Sequence, residues 1–153
     1  MTGAMDVADT RTWRAQAVAL SRDIKLSHTV FALPFALLAA FIAARGWPRA
    51  GQVVLVLVCM VAARTLAMAA NRLLDAKADA ANPRTAGRAV PAGRLSPAFV
   101  KGTIWVCAGL FLLSCGGFWV AYGNRWPLML GPFVLAFLAA YPLLKRFTAL
   151  CHY

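Results

Sequence analysis

The sequence predicts an all-α polytopic membrane protein with four transmembrane helices, and three observations carry that prediction. Hydrophobic residues make up 61% of the 153-residue chain, and mean hydropathy is +0.67, well above the apolar share of a soluble domain. Four nearly uncharged runs, at 29–44, 52–70, 102–121 and 126–144, approach the ~20 residues that cross a bilayer as a helix. The cations also alternate between the ends of these runs. Arg11, Arg14, Arg22 and Lys25 precede the first; Arg72, Lys77, Arg84, Arg88, Arg94 and Lys101 follow the second; Lys145 and Arg146 follow the fourth. The two other connections hold only Arg45, Arg49 and Arg125. By the positive-inside rule, the N-terminus, the connection 71–101 and the end of the chain face the cytoplasm of an inner (plasma) membrane. That topology accounts for the net charge of +11, so the bilayer is an expected partner and nucleic acid is not.

Residues 1–26 read as a cytoplasmic segment. From Trp13 to Leu26, Trp13, Ala17, Leu20 and Ile24 recur every three or four positions with Arg14, Arg22 and Lys25 between them. This is the pattern of an amphipathic helix lying on the membrane surface. The first apolar run starts late and behind Asp6, Asp9 and Asp23, which suits a retained span better than a cleaved signal. That span contains Pro34, expected to kink it. Gly46-Trp47-Pro48 reads as a tight outer turn with Trp47 at interface depth. The second span runs on into Asn71, Asp75 and Asp79, and its helix should stop before Pro83, because the residue preceding proline disfavours helical backbone. Residues 82–97, rich in Pro, Gly and Arg, read as a loop, and Gly123-Asn124-Arg125 joins the last two spans. Residues 27–153 thus form one transmembrane domain without a soluble domain or internal repeat. Cys59, Cys107 and Cys115 lie in apolar runs and Cys151 near the end, with no C-x-x-C spacing, so they read as packing residues.

Chemistry concentrates after the second span. In a helix, the spacing of Asn71, Asp75 and Asp79 puts three oxygen ligands on one stripe that drifts only ~40° per step. The chain has only five acidic residues, so two on one helical face beside an amide point to a hard divalent cation. Mg²⁺ accepts one or two carboxylates and completes its shell with phosphate oxygens and water, which makes a diphosphate the expected co-ligand. The competing structural reading is a solvated helix end whose carboxylates pair with Arg72 or Lys77. Arg64, inside the second span two turns before Asn71, costs at least ~2.5 kcal/mol to insert and needs either an internal acid or a bound anion as partner. Arg84 and Arg88 fall in Asn82-Pro83-Arg84-Thr85-Ala86-Gly87-Arg88, whose turn residues could fold the loop back over that anion; lipid headgroups are the alternative contact. Tyr141 and Lys145, four apart, read on their own as an aromatic-belt tyrosine and a snorkelling lysine.

Taken together, these motifs resemble a known family. The run from Asn71 to Asp79, followed by Asn82-Pro83-Arg84-Thr85, is similar to the first aspartate-rich motif of the UbiA superfamily of intramembrane prenyltransferases. Tyr141-Pro142-Leu143-Leu144-Lys145 fits that family's Y-x-x-x-K motif. Ser27 through Phe35 resembles its first span, especially in the 4-hydroxybenzoate polyprenyltransferase branch. The resemblance implies a bundle of about nine helices, of which this chain holds the first half. It also implies Mg²⁺-dependent transfer of a polyprenyl group from its diphosphate to an aromatic acid, 4-hydroxybenzoate, for ubiquinone or menaquinone synthesis. By carry-over, Asn71, Asp75 and Asp79 would hold the metal, Arg64, Arg84, Arg88 and Lys145 would steady the phosphates, and Tyr141 would lie near the reacting end. The family's second aspartate motif has no counterpart here, since Asp6, Asp9 and Asp23 all precede the first span. The expectation is therefore a truncated N-terminal half that does not turn over alone. CDP-alcohol phosphotransferases place a glycine after the second aspartate of a D-x-x-D pair, and Asp75-Ala76-Lys77-Ala78-Asp79 lacks it. A small four-span transporter or assembly factor is the non-enzymatic alternative; it predicts an internal partner for Arg64.

Overall fold

The computed structural model describes residues 12–24 and 27–147, with side chains over 12–24 and 31–143. Five helices follow one another without a strand among these residues: α1 (Trp13–Ile24), α2 (Ser27–Ala44), α3 (Ala50–Ala81), α4 (Pro97–Tyr122) and α5 (Trp126–Phe147). α3, α4 and α5 are each long and apolar enough to cross a membrane, and the described apolar part of α2, Phe31–Ala44, is shorter. Large apolar side chains such as Phe31, Trp105, Val120 and Phe133 stand exposed on the spans, as they do where lipid is the solvent.

Helix ends follow local chemistry. The Thr12 hydroxyl accepts the Ala15 N–H at the start of α1 (3.4 Å). α2 ends at Ala44, and the φ of 51° at the following Arg45 places a non-glycine residue in the left-handed region. The next residue, Gly46, donates back to the Phe41 carbonyl (3.3 Å), closing the helix in a Schellman-type turn. Trp47 then packs edge-on against Phe41, with ring centres 5.2 Å apart. α4 starts on Ser96, whose hydroxyl accepts the Phe99 N–H (3.2 Å), with Pro97 in the first turn. It ends on Gly123 at φ 68°, which only glycine adopts without penalty.

α3 organises the bundle, because it touches each of the other four helices and packs most extensively on α4. At 32 residues it is ~48 Å long, beyond the ~30 Å hydrocarbon layer. Its charged C-terminal third, carrying Asn71, Asp75 and Asp79, therefore extends past the apolar region. It stops at Ala81, with Asn82 in an extended conformation before Pro83.

Two apolar clusters hold the helices. Ala62, Phe111 and Cys115 join α3 to α4 in mid-span, with Leu128 and Leu135 of α5 against them. The second cluster brings Leu20 and Ile24 of α1, Ala69 of α3 and Val100 of α4 together with Ala89, Val90 and Leu95. Those last three belong to the connection between α3 and α4, so this loop contributes to the core. Leu95 is 1% exposed. Leu95→Ala should cost about 3 kcal/mol through lost burial and a residual cavity, read as a lower unfolding midpoint in detergent and faster proteolysis within 82–96.

Candidate functional site

The acidic stripe is built by continuing a membrane helix into water. No helix breaker interrupts α3 between Ala50 and Ala81, so Asn71, Asp75 and Asp79 keep their four-residue register on one face. Asn71 and Asp75 are half-buried, and Asp79 is only 8% exposed. Both Asp79 carboxylate oxygens accept from Arg88 Nη1 at 2.7 Å. A charge-assisted contact of that length at a nearly buried carboxylate is a strong fastening.

The loop reaches Asp79 by a local folding path legible in its residue types. The Asn82 side-chain oxygen accepts the Arg84 N–H (3.0 Å), an Asx turn that Pro83 helps to shape. The Asn82 carbonyl then accepts the N–H groups of Thr85 (2.9 Å) and Ala86 (2.8 Å). Thr85 is buried and its hydroxyl donates to the Asp79 carbonyl (3.1 Å), which also accepts the Asn82 N–H (3.3 Å) at the helix end. The chain thus doubles back over the last turn of α3, bringing Arg88 to Asp79. Arg94 continues the folding by donating to the Gly87 carbonyl (2.6 Å).

Of the residues singled out from sequence, the structure joins Asp79 to Arg88 directly. This fastens to a carboxylate an arginine expected on phosphate. Arg84 is exposed beside them. Arg64 lies two turns before Asn71 on α3, and among the described residues its buried Nε has no hydrogen-bond partner, so the internal pairing that a simple four-span protein requires is not made there through that atom. Tyr141 stands half-exposed on α5 with its ring near Phe137, centres 6.2 Å apart. Lys145 follows one turn later in α5, and its side chain, like those of Ser27 to Val30, lies outside the described residues. Of the sequence-based alternative partners for the acids, Arg72 reaches Asp23 of α1 and Lys77 is exposed.

Asp23 is the residue that sequence reasoning missed. Arg72 Nε lies 3.4 Å from its carboxylate, and Arg72 Nη2 donates to its carbonyl (3.2 Å). With Gln16 accepting the Ser96 N–H (3.2 Å), this ties α1 to the motif helix and to the start of α4. Its one sequence signal was that Asp23 is the acid among the basic positions of an otherwise cationic amphipathic helix.

Among the described residues, no three His, Cys, Asp or Glu side chains gather as a self-sufficient metal cage. Two carboxylates and an amide are a set that leaves ligand positions for phosphate and water, as Mg²⁺ sites do.

The UbiA prenyltransferase family matches residues 32–153. This chain belongs to that family. It is also similar to the solved apo structure of a UbiA homolog from Aeropyrum pernix K1, at 31% identity and a TM-score of 0.74. The match covers 83% of this chain and 44% of the homolog, so the chain spans less than half of that protein's length. No curated relative matches. The all-helical membrane architecture read from the sequence is thus the UbiA-type fold in part. In that fold the stripe, the doubled-back loop and the Tyr141 helix are one contiguous stretch of a multi-pass membrane protein.

Proposed function

We propose that these residues form the diphosphate-holding part of an intramembrane prenyltransferase. The reaction would transfer a polyprenyl group from its diphosphate to an aromatic acid, with 4-hydroxybenzoate as the acceptor, in quinone biosynthesis. The observation that carries the reading is the oxygen-ligand stripe of α3, set just beyond the apolar layer and closed over by an arginine-bearing loop.

Magnesium fits this donor set. Asn71, Asp75 and Asp79 are hard oxygen ligands on one face, and Arg64, earlier on α3 with a buried Nε that has no hydrogen-bond partner among the described residues, suits a bound anion. Magnesium bound there would neutralise charge on the departing diphosphate. The chain's own groups do the rest. Asn71 and Asp75 hold the head of the substrate at the membrane boundary. Arg64 and Lys145 supply positive charge to its phosphates, and Arg84 reaches them from the loop. Arg88 keeps Asp79 oriented and its charge compensated until a phosphate competes for the guanidinium. Tyr141 lies near the reacting end of the prenyl group. The apolar spans keep the chain of the substrate in hydrocarbon and exclude water from the reacting carbon. With the N-terminus and the loop on the cytoplasmic side of the inner membrane, the water-soluble aromatic acid reaches the same end of the bundle.

Membranes containing the whole protein, given a labelled prenyl diphosphate and 4-hydroxybenzoate, are expected to form prenylated acid with Mg²⁺ and none with a chelator. Product with another aromatic acid alone would replace the acceptor. No product from any acceptor would contradict the reading.

A further inference from the structure

Away from the acidic stripe, a cavity of about 760 Å³ opens between α1 and the loop after α3. Its size is that of an ordinary small-molecule site. Arg14 and Arg22 of α1 and Arg94 of the loop line it, over an apolar floor that includes Val18 and Ala89. Among the described residues the acid on its wall is Asp23, which is paired with Arg72 at 3.4 Å. Among the described residues, the three guanidinium groups therefore meet no free carboxylate in the cavity wall. Arg94 commits one nitrogen to the Gly87 carbonyl, and Arg14 stands 5.4 Å from the Trp13 ring centre, leaving donors on each.

Depth identifies what such a cavity meets. Leu20 and Ile24 of α1 share one cluster with Ala69, at the end of the apolar run of α3 and just before Asn71 and Arg72. α1 thus lies where α3 passes from hydrocarbon to charge, which is the level of lipid phosphates. Val18 remains about half exposed, offering apolar contact beside the arginines. Neither Arg84 nor Arg88 lines this cavity, so it is separate from the diphosphate site and independent of the function proposed above.

We infer that this cavity binds the phosphate of an anionic membrane lipid, with Arg14, Arg22 and Arg94 as its ligands. The lipid would clamp α1 to the loop, two elements otherwise joined at this end by the Gln16–Ser96 hydrogen bond and the shared apolar cluster. A basic residue near a membrane surface contributes roughly fivefold to affinity for an anionic lipid.

The test uses the full chain, purified and delipidated, then offered phosphatidylglycerol, phosphatidylcholine or inorganic phosphate. Lipid retention is read by native mass spectrometry, alongside the thermal unfolding midpoint. Retained phosphatidylglycerol with a raised midpoint is expected, without retention of phosphatidylcholine. Arg14→Gln/Arg22→Gln should weaken retention by roughly 25-fold, whereas Arg14→Lys/Arg22→Lys should keep most of it. Lys101→Gln, at an exposed position of the same end outside the cavity, should leave retention unchanged. Equal retention of phosphatidylcholine, or undiminished retention in the double glutamine variant, would overturn the site. Full displacement of the lipid by inorganic phosphate would overturn the lipid assignment.

Discussion

Asp75→Ala is expected to weaken magnesium-dependent binding of a prenyl diphosphate by on the order of 100-fold or more, since loss of residues that merely support a metal ligand already costs roughly 10–100-fold. Asp75 is half-buried at the centre of the stripe, one turn from both Asn71 and Asp79. With the stripe as the proposed metal site, its replacement removes a charged ligand that neither neighbour can replace without a shift of helix register. Asn71→Ala removes a neutral ligand and should cost less. Arg64→Gln should also weaken binding, but the remaining affinity should still depend on magnesium, because Arg64 meets phosphate rather than metal in this account. Calorimetric titration of each variant in lipid nanodiscs separates the two patterns. Equal affinity of wild type and Asp75→Ala would remove that residue from the site.

The second large effect concerns stability. Arg88→Ala leaves the Asp79 carboxylate, whose side chain is 10% exposed, without the guanidinium nitrogen that both its oxygens share. Breaking such a pair from one side typically costs 3–5 kcal/mol. Arg88 is itself a third exposed, so about 3 kcal/mol is the expected loss. Hydrogen exchange should accelerate across 82–96, because the latch and the Thr85 bond hold the same turn. Replacing both partners, as in Asp79→Leu/Arg88→Leu, should be less damaging than the sum of the single changes, since no charge is then left stranded. Additive effects would show that the contact contributes nothing to stability.

These two predictions rest on different amounts of sequence information. The helices were legible because bilayer thickness imposes a run length, and because Pro83 and Gly123 act through local backbone preferences at the ends of α3 and α4. The stripe was legible for the same reason: a helix fixes which side chains share a face, whatever lies around it. The loop was legible as a loop, and its Asn-Pro-Arg-Thr turn was open to reading from residue types. The burial of Ala89, Val90 and Leu95 was not, because three apolar residues among Gly, Pro and Arg carry no periodicity, and their partners on α1 and α4 are remote in sequence. The Arg88–Asp79 and Arg72–Asp23 pairings were hidden by the same difficulty. Composition supplies 16 cations for five acids, and only the folded chain decides which cation each acid meets. Sequence assigned Arg88 to phosphate by motif; the structure adds that it first fastens the loop to the helix it guards.

The central claim is that the α3 stripe holds a diphosphate through magnesium. The most direct measurement is titration of the purified protein in nanodiscs with farnesyl diphosphate, with Mg²⁺ and then with a chelator. Saturable binding that requires the metal and is lost in Asp75→Ala is the predicted result. Binding that is absent, or the same with and without magnesium, would contradict it.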